Sequence, residues 1–273
     1  MKKLICILAV LCCAVSLSAI DLIDISGDVG IGYMNYAIVT KYKTEALSKD
    51  VADALKAALG DGNLKISEPR STDTYNALAI GLSFKVSYFY MNLNVGLPSK
   101  QIPTGYDPLG QELKAINATD KIKGSIIADL QLGGGITLLK STPLNIFVGG
   151  AVSVNYIRTK RELPKAFIDN VKDKTTGAPL VAASMQEIRS IAMLGVGADI
   201  AVKYFFTKNV GVCLDIKDSL YFAPLMNTRH YEGKLKNGWD FTYTITNEKS
   251  IKSLIKSQWA NNFTARLGIA FKL

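Results

Sequence analysis

The sequence of 273 residues contains little cysteine and a single histidine. Three of its four cysteines lie within the first 13 residues, so loss of that segment would leave Cys213 alone. One thiol cannot form an internal disulfide or build the usual zinc cluster, which excludes a disulfide-stapled secreted domain. His230, predicted to lie in a loop, has no Gly-x-Ser-x-Gly motif beside it. The sequence therefore predicts no enzyme and no cofactor.

Long apolar runs are absent beyond residue 17, which excludes a transmembrane helix in the mature chain. At the start, Lys2 and Lys3 precede an apolar run over residues 4–17, and residues 16–19 supply the small side chains that a signal peptidase needs. The run is shorter than the roughly 17–25 residues that cross a bilayer. We therefore expect residues 1–19 to be a cleaved export signal and residues 20–273 to be the mature domain.

Lipidation at Cys12 or Cys13 is the less favoured alternative for this segment. The bulky Leu11 directly before the cysteine pair fits a lipoprotein-processing motif poorly. We therefore favour an ordinary cleaved signal.

Alternation of apolar and polar residues dominates the rest of the chain and predicts β-strands. In residues 126–138, for example, the alternation continues through the glycine run 133–135, which is not followed by Lys-Ser or Lys-Thr and so does not read as a phosphate-binding loop. The pattern occurs in eight segments: residues 23–34, 78–86, 89–97, 126–138, 144–156, 194–204, 210–216 and 259–273.

The links between these segments alternate in length. Tight links near Ser87, Ser141 and Lys208 separate long ones at residues 40–74, 98–123, 159–187 and 218–257. This alternation predicts an all-β fold, an eight-stranded antiparallel transmembrane β-barrel with four long extracellular loops and three short periplasmic turns. A soluble barrel would turn many long charged side chains to water. The opposite face here, as in Gly195, Gly197 and Asp199, instead has small residues that suit a narrow lumen.

The last eight residues, Arg-Leu-Gly-Ile-Ala-Phe-Lys-Leu, carry a family resemblance. The polar Arg266, then Gly268, then Phe271 and Leu273 in alternation resemble the C-terminal assembly signal of outer-membrane barrels. With its strand count and loop alternation, the mature chain resembles a small spirochaetal or Gram-negative outer-membrane barrel of the OmpW type. The resemblance implies contact with outer-membrane lipid, recognition by the barrel-assembly machinery, and a narrow channel for small, largely apolar solutes.

Charged residues of inward parity are the candidate site. They would form either an ion-pair network that plugs a narrow lumen or a polar constriction that selects solutes. Both alternatives require an inward position, because Lys or Arg facing lipid at mid-depth costs ~2–4 kcal/mol. The predicted lumen-lining residues are Asp28, Lys85, Asp129, Asp199, Lys203, Asp215, Lys217, Arg266 and Lys272.

Two long links contain patterns of their own. Apolar residues at helical spacing over residues 47–59 predict a short amphipathic helix, and alternation over residues 239–246 predicts extra β-structure. The latter leaves a ten-stranded barrel as a minority alternative to the eight-stranded one.

Charge suggests a different class of function. Without Lys2 and Lys3 the chain has 30 basic and 23 acidic residues, a net charge of +7. Residues 158–189 and 217–256 each contain seven basic and four acidic residues. The alternative hypothesis is therefore a surface-exposed binding protein whose third and fourth loops contact an anionic glycan or a host partner. Nothing in the sequence indicates nucleic-acid binding.

The turn at residues 207–209 fixes a strand register. A three-residue turn places Asp199 opposite Lys217, Val202 opposite Leu214 and Ile200 opposite Ile216, so charged residues meet inside and apolar residues meet outside. Asn209 can adopt the left-handed conformation that such turns favour.

Overall fold

The computed structural model describes residues 24–43, 70–106, 112–114, 124–162, 182–235, 240–245 and 255–273. Among these residues no helix is long and apolar enough to cross a membrane. The described parts of the chain form ten β-strands: β1 (Ile25–Tyr42), β2 (Arg70–Val86), β3 (Phe89–Tyr106), β4 (Glu112–Lys114), β5 (Ile126–Leu138), β6 (Leu144–Glu162), β7 (Ala182–Phe205), β8 (Val210–Leu235), β9 (Asp240–Ile245) and β10 (Ile255–Lys272).

Eight of these strands close into a ring. The antiparallel order is β1, β2, β3, β5, β6, β7, β8 and β10, and β10 pairs with both β8 and β1. β4 and β9 lie off the ring and pair with β3 and β8 respectively. The predicted eight-stranded antiparallel barrel is confirmed, and β9 is the extra β-structure expected near residue 240. The ten-stranded alternative is wrong for the described residues, because neither short strand enters the ring.

The outer surface carries a continuous apolar belt. Along β2, for example, Leu78, Ile80 and Leu82 all point outward and are exposed, while Ala79 between them is fully buried. Aromatic side chains border this belt on both sides, a feature of barrels that span a membrane. Those toward the tight turns are Phe84, Tyr88, Phe89, Tyr204 and Phe206, and those toward the long links are Tyr33, Phe222 and Trp259. The barrel is therefore built to cross a lipid bilayer.

One acidic side chain interrupts this outer face. Asp218 is exposed on β8, and Asn261 Nδ2 of the adjacent β10 donates a hydrogen bond to its carboxylate at 2.7 Å. This contact satisfies one oxygen of a group that lipid solvates poorly.

The stagger of the ring makes the interior narrow. If the paired residues of adjacent strands are followed around the ring from Asp28, the path returns to β1 at Ile38. This position is ten residues farther along the strand. A barrel of eight strands tilted by roughly 35–45° has an interior just wide enough for its own side chains. The inward side chains therefore fill the lumen and contact one another across it.

The strands extend farther than the sequence indicates. β7 begins at Ala182 and β8 ends at Leu235, so both run well into the predicted third and fourth loops. His230 was expected in a loop, and this is wrong: it lies in β8 and pairs with Ile188. The alternation predicted through glycines 133–135 is confirmed by β5. The amphipathic helix predicted over residues 47–59 lies outside the described residues.

The predicted register between β7 and β8 is confirmed. Asp199 pairs with Lys217, Val202 with Leu214, and Ile200 with Ile216. This agreement places the two strands' inward residues on the same face, as antiparallel pleating requires.

The turn that joins these strands differs from the expectation in one respect. Among the described non-glycine residues, positive φ occurs at Ser87 and Leu139, so the prediction of a left-handed Asn209 is wrong. The Thr207 hydroxyl stabilises the turn instead, because it accepts a hydrogen bond from Val210 N at 2.9 Å. Asn209 Nδ2 donates to the Lys272 carbonyl at 2.7 Å, which ties the turn to β10.

The outer belt generates a test of membrane orientation. Ile31 is 63% exposed on the outer face of β1, and we expect Ile31→Lys to lower the free energy of unfolding by ~2–4 kcal/mol, because a charge there would face hydrocarbon. Urea unfolding in lipid vesicles measures this cost. The control Tyr88→Lys adds the same charge in a tight turn at the membrane edge, where the cost is about 0–1 kcal/mol. Equal costs at the two positions would contradict the assignment of the belt.

Candidate functional site

The centre of the barrel interior is organised around one arginine. Arg266, from β10, is 2% exposed. Its Nη2 lies 3.3 Å from Asp28 Oδ1 and 2.8 Å from Ser83 Oγ, and it also pairs with Asp215 Oδ2. One guanidinium thus contacts residues of β1, β2 and β8, as its planar fork of donors allows.

A glycine makes room for this guanidinium. Gly81, two residues before Ser83 on β2, faces the interior, and a Cβ there would collide with Arg266 Nη1 and with Asn94 Oδ1. The absence of a side chain at position 81 therefore allows the arginine to reach across from β10.

Two lysines complete the ionic layer around Arg266. Lys203 Nζ lies 2.8 Å from Asp28 Oδ2, and Lys217 Nζ lies 3.3 Å from Asp215 Oδ2. Asp199 accepts a hydrogen bond from Asn92 Nδ2 at 3.1 Å. The register opposes Asp199 to Lys217, but the ion pair that Lys217 forms is with Asp215, its neighbour on β8. The prediction that Asp199 and Lys217 point inward and lie opposite one another is confirmed.

Side-chain contacts span the ring between opposite strands. Each of the four diametrically opposed strand pairs of the ring has one. They are Tyr36 of β1 with Asn155 of β6 (2.5 Å), Asp73 of β2 with Arg189 of β7 (3.2 Å), Asn92 of β3 with Asp215 of β8 (3.4 Å), and Asp129 of β5 with Asn262 of β10. These contacts lie at successive levels of the interior, which is consequently plugged rather than open.

The interior becomes apolar on the long-link side of the ionic layer. A cluster of side chains with almost no exposure occupies this level, which we call the apolar layer: Met34, Tyr36, Ile38, Tyr75, Ala77, Ala79, Ile127, Ile157, Ile191, Met193, Tyr221 and Ala260. Above it, Arg189 and Gln101 both contact Asp73, at 3.2 and 3.0 Å. A small apolar molecule could replace side-chain contacts in this layer, since Met34 and Met193 adapt readily to a new neighbour.

A smaller cluster lies on the tight-turn side. Tyr90, Phe147, Ala201, Phe205, Cys213 and Ala270 pack together there, and Tyr90 meets Phe147 edge to face with ring centroids 5.0 Å apart. Cys213 is a buried free thiol within this packing.

Eight of the nine predicted lumen residues are buried inside the ring. Lys272 differs, because its side chain is 31% exposed at the tight-turn mouth. The structure does not gather the nine into one site. Five residues, Asp28, Lys203, Asp215, Lys217 and Arg266, share the ionic layer, whereas Asp129 contacts Asn262 and Lys85 lies near the mouth beside Thr137.

Several interior residues were missed by the sequence reasoning. Asn92, Gln131 and Asn155 are fully buried and make contacts across the lumen, and Gln131 Nε2 donates to Ser219 Oγ at 2.6 Å. A search for every polar residue of inward parity, rather than for charged ones alone, would have found them. Asp73 was missed because it lies in a segment predicted as a loop, and Arg189 because it lies before the strand predicted at residues 194–204.

The described residues contain no cluster of three or more His, Cys, Asp or Glu side chains that could hold a metal ion. His230 Nε2 lies 3.3 Å from Glu232 Oε1 on the same strand. This is a local contact outside the ionic layer.

Comparison with known proteins adds a family and distant structural likenesses. The family described as Domain of unknown function (DUF2715) matches residues 29–273. No curated protein matches the chain.

Three similar solved structures are outer-membrane proteins. OprG from Pseudomonas aeruginosa is 10% identical, with a TM-score of 0.43 and coverage of 91% of this chain and 95% of OprG. The protease OmpT from Escherichia coli is 9% identical, with a TM-score of 0.42 and coverage of 92% and 97%. AlkL is 12% identical, with a TM-score of 0.37 and coverage of 92% and 90%. Likenesses this weak carry no argument, and the barrel architecture rests on the chain's own strand pairing.

The ionic layer generates a test of coupling. We expect Arg266→Met to lower the free energy of unfolding by about 3–5 kcal/mol, because it leaves the buried carboxylates of Asp28 and Asp215 without their shared cation. Combined with Asp215→Asn, it should cost less than the two single changes added together. Urea unfolding of all three variants in lipid vesicles measures the difference. Lys208→Met in the exposed turn is the control, with an effect within about 0.5 kcal/mol. If the cost of the double change equalled the sum of the two single costs, the proposed coupling within the ionic layer would be contradicted.

Proposed function

The chain belongs to the DUF2715 family, and we propose that it is an outer-membrane barrel that admits small, largely apolar solutes at its long-link end and releases them sideways into the membrane. One observation carries this proposal: the apolar layer of the interior includes Ile127, the residue at which the pairing of β3 with β5 ends. The outer-membrane location and the removal of residues 1–19 are parts of the same proposal.

The pairing between β3 and β5 in the barrel wall ends beside the apolar layer. The ladder between β3 and β5 runs from Phe89–Gly134 to Gly96–Ile127, and Ile127 itself belongs to the apolar layer. β3 continues to Tyr106, and among the described residues its partners on that side are those of β4. β5 remains paired with β6 at this level, through Ile126 and Arg158. Among the described residues, the pairing of β3 with β5 therefore ends beside the apolar layer.

A proline lies just beyond the end of this pairing. Pro98 lies two residues beyond Gly96 on β3, and the register between β2 and β3 shifts there, between Asn76 and Ala77. Proline has no N–H to donate to a ladder, and it occurs in strands mainly at edges and bulges. Because Pro98 has no N–H that could be left without a partner, it lowers the cost of a local break in pairing at this level of the wall, through which an apolar molecule would reach lipid.

The ionic layer below supports a sideways route over a straight one. A solute that continued down the axis would have to part Arg266 from Asp28 and Asp215, all buried charges. Separating such groups without compensation is costly. Among the described residues, entry requires the parting of Asp73 from Arg189 and Gln101, and the side chains of Asp73 and Arg189 are 16% and 14% exposed and therefore reached by water.

The resemblance to the OmpW type is consistent with this function and stays a prediction. The surface-binding alternative also stays a prediction, because much of the basic third and fourth loops lies outside the described residues.

The proposal is tested by the uptake of an uncharged aromatic probe, N-phenylnaphthylamine, into cells that carry the protein in their outer membrane. We expect Pro98→Ala to slow uptake several-fold, because an alanine N–H allows β3 to extend its ladder. The matched control is Pro224→Ala, which alters a proline beside a register shift on β8, directly across the ring from β3.

A charged β-lactam measured in the same cells separates this route from an aqueous pore. Its uptake should not rise with expression of the protein. Equal uptake of the aromatic probe by the Pro98→Ala variant and the unchanged protein would refute the sideways route, and a rise in β-lactam uptake would refute the plugged lumen.

A further inference from the structure

The tight-turn end of the interior contains a polar recess that the proposed function does not use. It is lined by Lys85, Lys203 and Lys272 together with Asp24 and Asn145. Its space for water-sized molecules is about 20 Å³, more than the roughly 10–15 Å³ that one water requires.

Positive charge is in excess in this recess. Lys203 is matched by Asp28, at 2.8 Å. The ammonium groups of Lys85 and Lys272, which line the recess, lie 3.8 and 3.9 Å from the carboxylate of Asp24, and that of the exposed Lys140, outside the lining, lies 3.6 Å from it. These separations exceed the roughly 2.7–2.9 Å of a charge-assisted hydrogen bond. Three cations thus share one anion, and none of them bonds it closely.

The burial of Lys85 makes the excess of positive charge in the recess energetically important. Lys85 is only 5% exposed, so water screens its charge much less than it screens a surface lysine. Lys85 Nζ also contacts Thr137 Oγ1 and lies 5.2 Å from the centre of the Phe147 ring, which holds the ammonium at the wall of the recess.

A neutral side chain in the recess also lacks a partner. Asn145 is 7% exposed, and its Oδ1 has no hydrogen-bond partner within the described part of the chain. The carboxamide can turn to present either its oxygen or its NH₂ group, so it can serve a ligand that also contacts the lysines.

We propose that this recess binds a small oxyanion of the phosphate, sulfate or carboxylate class, held by Lys85 and Lys272 with Asn145 as a neutral hydrogen-bond partner. An anion between the two lysines supplies the negative charge that Asp24 alone does not. A free ion fits better than a lipid headgroup, because the recess lies within the ring while the aromatic residues Tyr88 and Phe206 mark the lipid surface outside it. This site is independent of the solute route at the opposite end.

Calorimetric titration of the folded full-length protein in zwitterionic micelles with inorganic phosphate tests the site. We expect saturable binding, weakened at least tenfold by Lys85→Gln and by Lys272→Gln. Asp24→Asn should tighten binding several-fold, because it removes the carboxylate that competes for the same cations. A purely structural role of these lysines would not produce this gain. Lys208→Gln, which removes a lysine from an exposed turn at the same end, should leave the affinity unchanged.

Each variant is first shown to be folded by its heat-modifiable migration on a gel, and Lys85→Arg should retain binding if Lys85→Gln fails to fold. Unchanged affinity in Lys272→Gln, weaker binding in Asp24→Asn, or an equal response to chloride at matched ionic strength would overturn the proposal. Binding seen only with vesicles that contain phosphatidylglycerol would assign the lysines to lipid and would also overturn it. Pro98→Ala should bind phosphate normally, so failure of the solute route leaves this result interpretable.

Discussion

The structure depends on one constraint, the absence of water in the hydrocarbon core of a bilayer. Every backbone N–H and C=O at that depth must find a partner within the protein, which open sheet edges cannot provide. β10 meets this requirement by pairing with both β8 and β1. Closure with eight strands and a ten-residue stagger then determines the width of the interior, which only side chains can fill. The composition of the inward faces follows from this geometry.

A narrow interior makes the order of the layers functionally important. Contacts between all four pairs of opposite strands close the axis, so a solute that enters at one end cannot simply leave at the other. The apolar layer and the charged recess are separated by Arg266 and its partners. The two ends of one barrel therefore offer two different chemical environments, one suited to uncharged molecules and the other to anions.

Lipid explains which parts of this fold could be predicted from the sequence. Within the membrane the outward face must be apolar, so Leu78, Ile80 and Leu82 alternate visibly with small or polar residues, and strand count and register follow. Beyond the membrane both faces meet water, and the alternation disappears while the ladder continues. That is why β7 and β8 were predicted too short and why Arg189 was missed. Lys217 forms its ion pair with Asp215 rather than with Asp199, which lies opposite it. This pairing depends on how the side chains extend within the crowded lumen, and strand register alone does not specify it.

The contact between Arg266 and Asp28 joins residues 238 positions apart in a sequence of 273 residues. Pairing of such distant segments carries a large loop-closure entropy and is characteristic of slow folding. Arg266 lies on β10, the last strand of the ring, and its carboxylate partner Asp28 lies on β1, the first. Until β10 arrives, Asp28 lacks its arginine in a barrel that is still open to lipid along one side. Closure of the wall and completion of the ionic layer therefore both depend on the pairing of β10.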